Sequence, residues 1–410
     1  RGEPRPDGVP AIEVADTTRA LGELAAFHRQ RWGRAAASGG RANAGKVVAI
    51  TGSAGKTTTK ELTAGALAGL GLRVLKTAGN LNNQFGVPMT LFGLTEEHDI
   101  AVLEVGTSGP GEIAWLGAIT KPDVAVVLLA ALAHTEGLVS LEAVADEKAS
   151  LWGALGAHGI AIVNDDDAEL KKRWRTDVRT LSFGNQDGVT VRLEHAELNA
   201  SGTQARINLA GLGAREVSLR LVGHAAATDA AAALAVVVAL EGDVERAIVA
   251  LGSVPPTPGR MALTQTRAGV TVCDDSYNAN PRSMALGLET LKVLATGGRS
   301  VAVLADMKDL GRFSQAEHVR IGELAVRLGI DVLVGCGGEM AHATSAAARL
   351  SAGRLAPHPT RVAHVMLSSD AISIVQSLCR QGDVVLVKGS RAMAMETVAD
   401  ALTQRFGGSA

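Results

Sequence analysis

The segment Gly52-Ser53-Ala54-Gly55-Lys56-Thr57-Thr58 joins the residue types that bind phosphate. Backbone N–H groups at a helix start attract anions, and glycines let the chain approach them closely. Lys56 would reach the β- and γ-phosphates of a nucleotide, and the Thr57 hydroxyl would bind Mg²⁺. The spacing departs from G-x-x-x-x-G-K-[ST], because Ile50 stands where the first glycine belongs. The plainer alternative is a glycine-rich turn capping an ordinary helix. The flanks favour phosphate: "KVVAI" reads as a buried strand running in, and Thr57–Leu70 as a helix running out.

Three further residues could join this chemistry. Glu104, in "AVLEVG", ends a strand, and the carboxyl edge of an open parallel sheet faces its ligand crevice. A carboxylate there suits Mg²⁺, a hard cation preferring oxygen, although a strand-end turn explains it as well. His134 follows the strand "DVAVVLLA", and Lys148 lies on the next helix. By themselves these two read as a structural histidine and a solvated lysine.

The elements that must position these groups follow from composition and periodicity. At 410 residues the chain exceeds what one core usually serves. Aromatics make up only 3%, so Val, Leu, Ile and Ala must fill the interior, which suits parallel strands covered by helices. After a strand-like piece (Ala11–Val14), a helix near Thr18–Arg31 and a linker "RAAASGGRANAG", strand and helix alternate. "RVLKTA", "IAVLEVG", "DVAVVLLA" and "GIAIVNDD" read as strands, with a helix near Ser140–Leu155. Residues 178–222 alternate with period two and read as antiparallel, ahead of an Ala-rich helix over Ala225–Glu241. Beyond "VPPTPGR", the strands "VTVCDDS", "SVAVLADM", "DVLVGCG" and "DVVLVKGS" alternate with helices. The fold class is therefore α/β: a central domain over 46–257 that carries the P-loop, with a parallel sheet and a small antiparallel part, then a Rossmann-like domain over 258–410; the ATPase assignment of the central domain comes from the resemblance below. A net charge of −2 without basic runs argues against nucleic acid. Apolar runs reach only half a membrane span, so no membrane partner is expected. Three scattered cysteines point to a reducing, cytoplasmic setting without a zinc site.

The shortened loop T-G-[ST]-x-G-K-T resembles that of the Mur ligases and folylpolyglutamate synthases. The match extends through "AGNLNNQFGVPMTL" (78–91), "LEVGTSGPGEIAWL" (103–116), "AHTEGLVSLEAVADEKASL" (133–151), "PGR" (258–260), "DDSYNANPRSMALGLETL" (274–291), "LADMKDLG" (304–311) and "VLVKGSRAMAMETV" (385–398). On these residues the chain resembles the Mur ligase family, in the branch that adds D-alanyl-D-alanine to UDP-MurNAc-tripeptide. The resemblance implies an ATP- and Mg²⁺-dependent ligase of peptidoglycan precursor synthesis, working through an acyl phosphate and expected to be a monomer. It implies that Thr57, Glu104, His134 and a carbamylated Lys148 hold metal. It places Arg260 at the γ-phosphate, Asp275 at the ribose and Asn83 near the adenine or the substrate. Asn278, Asn280, Lys388, Ser390 and Arg391 fall on the substrate side, with helix capping an equal explanation for the last three.

Two departures qualify that likeness. The family's G-R-H-N-x-x-N-A is here "GHAAATDA" (223–230), so Asp229 takes the place of the adenine-reading Asn. An ionised carboxylate accepts a hydrogen bond from the adenine amine but donates none to a ring nitrogen. The second is at the front, where residues 1–45 resemble only the tail of the family's UDP-substrate domain. Rival readings are another amide ligase of the superfamily, folylpolyglutamate synthase-like, a non-catalytic nucleotide-binding remnant, and a P-loop kinase or GTPase. "DSYNANP" disfavours the first, and the loop spacing disfavours the last.

Overall fold

The computed structural model describes residues 12–132, 138, 140–353 and 358–408. Two sheets organise them. The first has nine strands: β1 (Lys46–Thr51), β2 (Val74–Lys76), β3 (Ile100–Glu104), β4 (Val124–Val127), β5 (Ile160–Asn164), β6 (Arg179–Gly184), β7 (Val191–Asn199), β8 (Gly202–Leu209) and β9 (Gly213–Leu219). Their spatial order is β2-β3-β1-β4-β5-β6-β7-β8-β9. The run from β2 to β7 is parallel, and only β7-β8-β9 is antiparallel.

Strands β1, β3, β4 and β5 are short and apolar because helices cover both faces there, leaving no polar side to alternate with, whereas β7–β9 alternate buried and exposed residues. Along β1, Val48 and Ile50 enter one core with Leu62, Leu67 and the Ala-rich helix His224–Ala239. Val47 and Ala49 enter the opposite core with Trp152. The register sets Ile50 beside Glu104 on β3 and Thr51 beside Val127 on β4. The phosphate loop thus leaves β1 next to the end of β3, at the edge where ligand crevices form.

The second sheet contains β10 (Ala262–Gln265), β11 (Thr271–Asp275), β12 (Ser300–Ala305), β13 (Val332–Cys336), β14 (Arg361–Val365) and β15 (Val384–Lys388). Its order is β10-β11-β15-β12-β13-β14, parallel except for β10. It also packs a core on each face.

Several expectations need correction. Ile12–Val14 form no strand, and Ala11 lies outside the described residues. The expected linker begins late, because helix Thr17–Ser38 absorbs Arg34–Ser38 and buries Ala25 and Trp32 in the sheet core. Residues 179–184 are a parallel strand, not part of the antiparallel set. The helix expected to reach Leu155 is α-helical over Leu141–Ala149 and 3₁₀ over Ser150–Ala154. Among the described residues, no helix is long and apolar enough to cross a membrane.

Candidate active site

Gly55 is the hinge of the phosphate loop. Its φ of +83° lies in the left-handed region, and a Cβ there would stand 2.5 Å from Asp229 Oδ1. Only glycine meets both conditions. From Gly55 the chain enters helix Lys56–Gly69, with the first-turn amides at the loop. The Lys56 ammonium folds back and donates to the Gly52 carbonyl at 2.7 Å. Burial lowers its pKa; Glu104 opposes this, and Arg260 adds to it.

Glu104 is buried and fully engaged. Its Oε2 accepts from the Thr57 hydroxyl at 2.8 Å and its Oε1 from Asn82 Nδ2 at 2.7 Å. A hydroxyl and a carboxylate side by side form an all-oxygen donor set of the kind Mg²⁺ prefers, with phosphate and water completing it. Among the described residues, no group of three His, Cys, Asp or Glu side chains could hold a metal by itself. His134 lies outside the described residues.

Lys148 is buried on helix Leu141–Ala149. Desolvation holds its pKa well below that of an ordinary lysine; the Lys56 charge adds to this, and Glu147, Glu112 and Glu104 oppose it. Burial thus favours the free amine, the form that carbamylation requires. The neighbouring Glu147 accepts from the Gly111 and Ile113 amides at 2.7 and 2.8 Å, anchoring the start of helix Glu112–Thr120.

The second sheet supplies the opposite wall. Arg260 sits 4.3 Å from the centroid of Tyr277, the only tyrosine of the chain, and Arg391 lies 5.7 Å from the same ring. The β11–β15 register puts Asp275 beside Lys388, whose ammonium donates to Asp275 Oδ2 at 2.7 Å and to the Asn278 carbonyl at 3.0 Å. Asn280 caps helix Pro281–Leu294, and its Nδ2 donates to the Ser53 carbonyl at 3.1 Å, linking the second wall to the phosphate loop. A cavity of about 460 Å³ lies between the walls, within the range of small-molecule sites. Ser53 to Thr58, Asn83, Glu104, Asp229, Arg260, Asp275, Asn278, Asn280, Lys388 and Arg391 all line it.

Some expected ligands have other partners. Ser390 is not at the cavity; its hydroxyl accepts from the Lys308 amide and faces the Ala279 carbonyl. Asn83 lines the cavity, but its Oδ1 accepts from the Phe85 and Gly86 amides, a turn at the start of helix Gly86–Phe92. Asn82, which sequence reasoning passed over, is the asparagine that holds Glu104. The turn position of Asn83, just ahead of "GVP", was the signal that could have separated the two. Asp229 differs from the expected ionised group: burial raises its pKa to about 8, against Thr59 and Arg260. At neutral pH it is a carboxylic acid, which donates and accepts as an amide does.

Fold and site together define a nucleotide-dependent α/β enzyme in which a second Rossmann-like unit brings an arginine over the phosphate loop. The chain belongs to the Mur ligase family: residues 50–237 match the Mur ligase middle domain, and residues 259–391 match the Mur ligase, glutamate ligase domain. It is 35% identical over 407 residues to the UDP-N-acetylmuramoyl-tripeptide–D-alanyl-D-alanine ligase of Escherichia coli, covering 97% of this chain and 83% of that protein. The crystal structure of MurF from Acinetobacter baumannii superposes with a TM-score of 0.85 at 31% identity, covering 98% of this chain and 84% of that one. MurF from Thermotoga maritima, in complex with ADP, gives 0.85 at 27% identity over 99% of this chain and 87% of that one.

Proposed function

We propose that this chain is an ATP-dependent ligase joining D-alanyl-D-alanine to UDP-MurNAc-tripeptide, forming an amide bond in peptidoglycan precursor synthesis. The supporting observation is that one cavity gathers the phosphate loop, the Thr57–Glu104 pair and Arg260. We assign residues 46–257 to the ATPase domain and 258–410 to the ligase domain. We also place the enzyme in the cytoplasm, where ATP is available; widely separated free cysteines agree with a reducing setting.

In this reading a carboxylate oxygen of the tripeptide attacks the γ-phosphorus, and the bond to the β–γ bridging oxygen breaks to release ADP. The amine of the dipeptide then attacks the acyl carbon; phosphate leaves, and the nitrogen gives up a proton. Lys56 exchanges the Gly52 carbonyl for phosphate oxygens, and Arg260 meets them from the other wall. Thr57 and Glu104, with Lys148 as a carbamate, would hold Mg²⁺, which supplies Lewis-acid neutralisation of phosphate charge. Closure of the two walls keeps water from the acyl phosphate.

The test is ADP release measured with each acceptor left out in turn. Turnover needing both tripeptide and dipeptide supports the assignment. ADP release that ignores D-alanyl-D-alanine, or that needs glutamate and a folate instead, refutes it.

A further inference from the structure

Lys60 sits one turn beyond Thr57 on helix Lys56–Gly69, almost wholly buried, and the phosphate-loop chemistry gives it no task. It does not line the cavity. Its ammonium donates to the Thr77 carbonyl at 2.7 Å and lies 3.0 Å from Glu61 Oε1. The other Glu61 oxygen pairs with Lys76, so both side chains grip the end of β2.

The grip matters because of the residues that leave β2. Thr77 is buried and extends the β2–β3 pairing, its amide donating to Val102 O at 3.1 Å. Its hydroxyl oxygen accepts from the Glu104 amide at 2.9 Å. Five residues on, Asn82 holds Glu104 Oε1 through its side chain, and its carbonyl accepts from the Gly106 amide at 2.8 Å. The segment 77–82 therefore holds Glu104 at its backbone and at its carboxylate, and Lys60 fastens that segment to the helix carrying Thr57.

We propose that Lys60 is a positioning residue for Glu104, acting through Thr77 to hold the carboxylate in register with Thr57. The inference rests on the reading that Glu104 and Thr57 hold the metal. A buried ammonium is a costly way to fill space that a methionine would fill equally well. What the ammonium adds is a directed bond to the Thr77 carbonyl, which fixes where the hydroxyl of the same residue meets the Glu104 amide. Partners that orient metal ligands in this way tune metal affinity.

The experiment compares Thr77→Val, Thr77→Ser, Lys60→Met and Glu104→Gln in the full chain. Two quantities are read: the Mg²⁺ midpoint for ADP formation, and the Mg²⁺ dependence of binding a non-hydrolysable ATP analogue by calorimetry. Thr77→Val and Lys60→Met should raise both Mg²⁺ midpoints roughly tenfold, while Thr77→Ser, which keeps the hydroxyl, stays within about twofold of the parent. Analogue affinity in excess chelator should not move. A folded Thr77→Val with a lower melting temperature but an unshifted Mg²⁺ midpoint overturns the proposal. Should Lys60→Met not fold, Lys60→Gln, whose shorter side chain falls away from the Thr77 carbonyl, takes its place, and an unshifted Mg²⁺ midpoint in the Lys60 variant that folds overturns the proposal. Glu104→Gln separates the layers: if it too leaves Mg²⁺ dependence unchanged, the metal assignment itself is wrong.

Discussion

Replacing Asp229 by Asn should stabilise the protein, and by more as the pH rises. The carboxyl packs against Gly55 beneath the phosphate loop, and burial raises its pKa from 3.8 to about 8. Below the unfolded value both states carry the proton, and the acid costs nothing. Between about 4 and about 8 the unfolded chain releases the proton while the folded one keeps it, so stability falls as pH rises through that window. Each unit is worth about 1.4 kcal/mol, so from about pH 5 to about pH 7 the parent loses about 2.7 kcal/mol that the amide variant keeps. For domains of this size that is roughly 5–10 °C in melting temperature. The assay is paired thermal melts of parent and variant in matched buffers, read as the difference so that other titrating groups cancel. A difference that stays constant across the window would refute the argument. One that grows toward acid would mean the carboxylate is ionised in the fold.

Two further perturbations test the frame around the site. Arg260→Ala should lower kcat by roughly a hundredfold or more with a smaller change in KM for ATP, as expected for a cation that acts on developing charge; steady-state ADP release checks it, and a pure KM effect would assign Arg260 to ground-state binding. Asp99, buried at the start of β3, is held well below the usual carboxylate range first by its hydrogen bonds from Arg73 and then by Arg41. Asp99→Ala should cost about 1–2 kcal/mol, because both arginines reach water and are screened. Its depressed pKa makes the contribution present above the ordinary carboxylate range and lost on acidification, so denaturant midpoints of parent and variant should converge toward acid.

Strands β1, β3, β4 and β5 were legible because both faces of the sheet are covered there, and β7–β9 because only one is, which leaves an alternating pattern. "KVVAI" and "DVAVV" are apolar without alternation, and little else fits such runs. The strands that escaped, β10 and β14, lie at the edges of the second sheet; only partly buried, they carry no continuous apolar run to mark them. The phosphate loop was legible from residue type and flanks alone. The Asp275–Lys388 pair was not: the residues are 113 apart in sequence, and only the β11–β15 register makes them neighbours. Lys60 illustrates the same limit, since a lysine inside a helix reads as solvated until the fold buries it.

The pKa shifts at the site share one cause. Desolvation dominates at Lys56, at Lys148 and at Asp229, and in each case it disfavours the charged form. Surroundings that penalise charge also screen it less than bulk water does, so an ion brought in between Lys56 and Arg260 meets them more strongly than it would in solution. A triphosphate entering between Lys56 and Arg260 would relieve the repulsion between those two cations and raise the Lys56 pKa. The attraction grows as negative charge gathers on the departing bridging oxygen. Arg260 reaches this position from the second unit, braced on Tyr277, while Asn280 fastens that unit to Ser53 in the loop itself. Whatever separates the two walls therefore breaks the Asn280–Ser53 bond, removes the cation and readmits water together, which ties chemistry to closure.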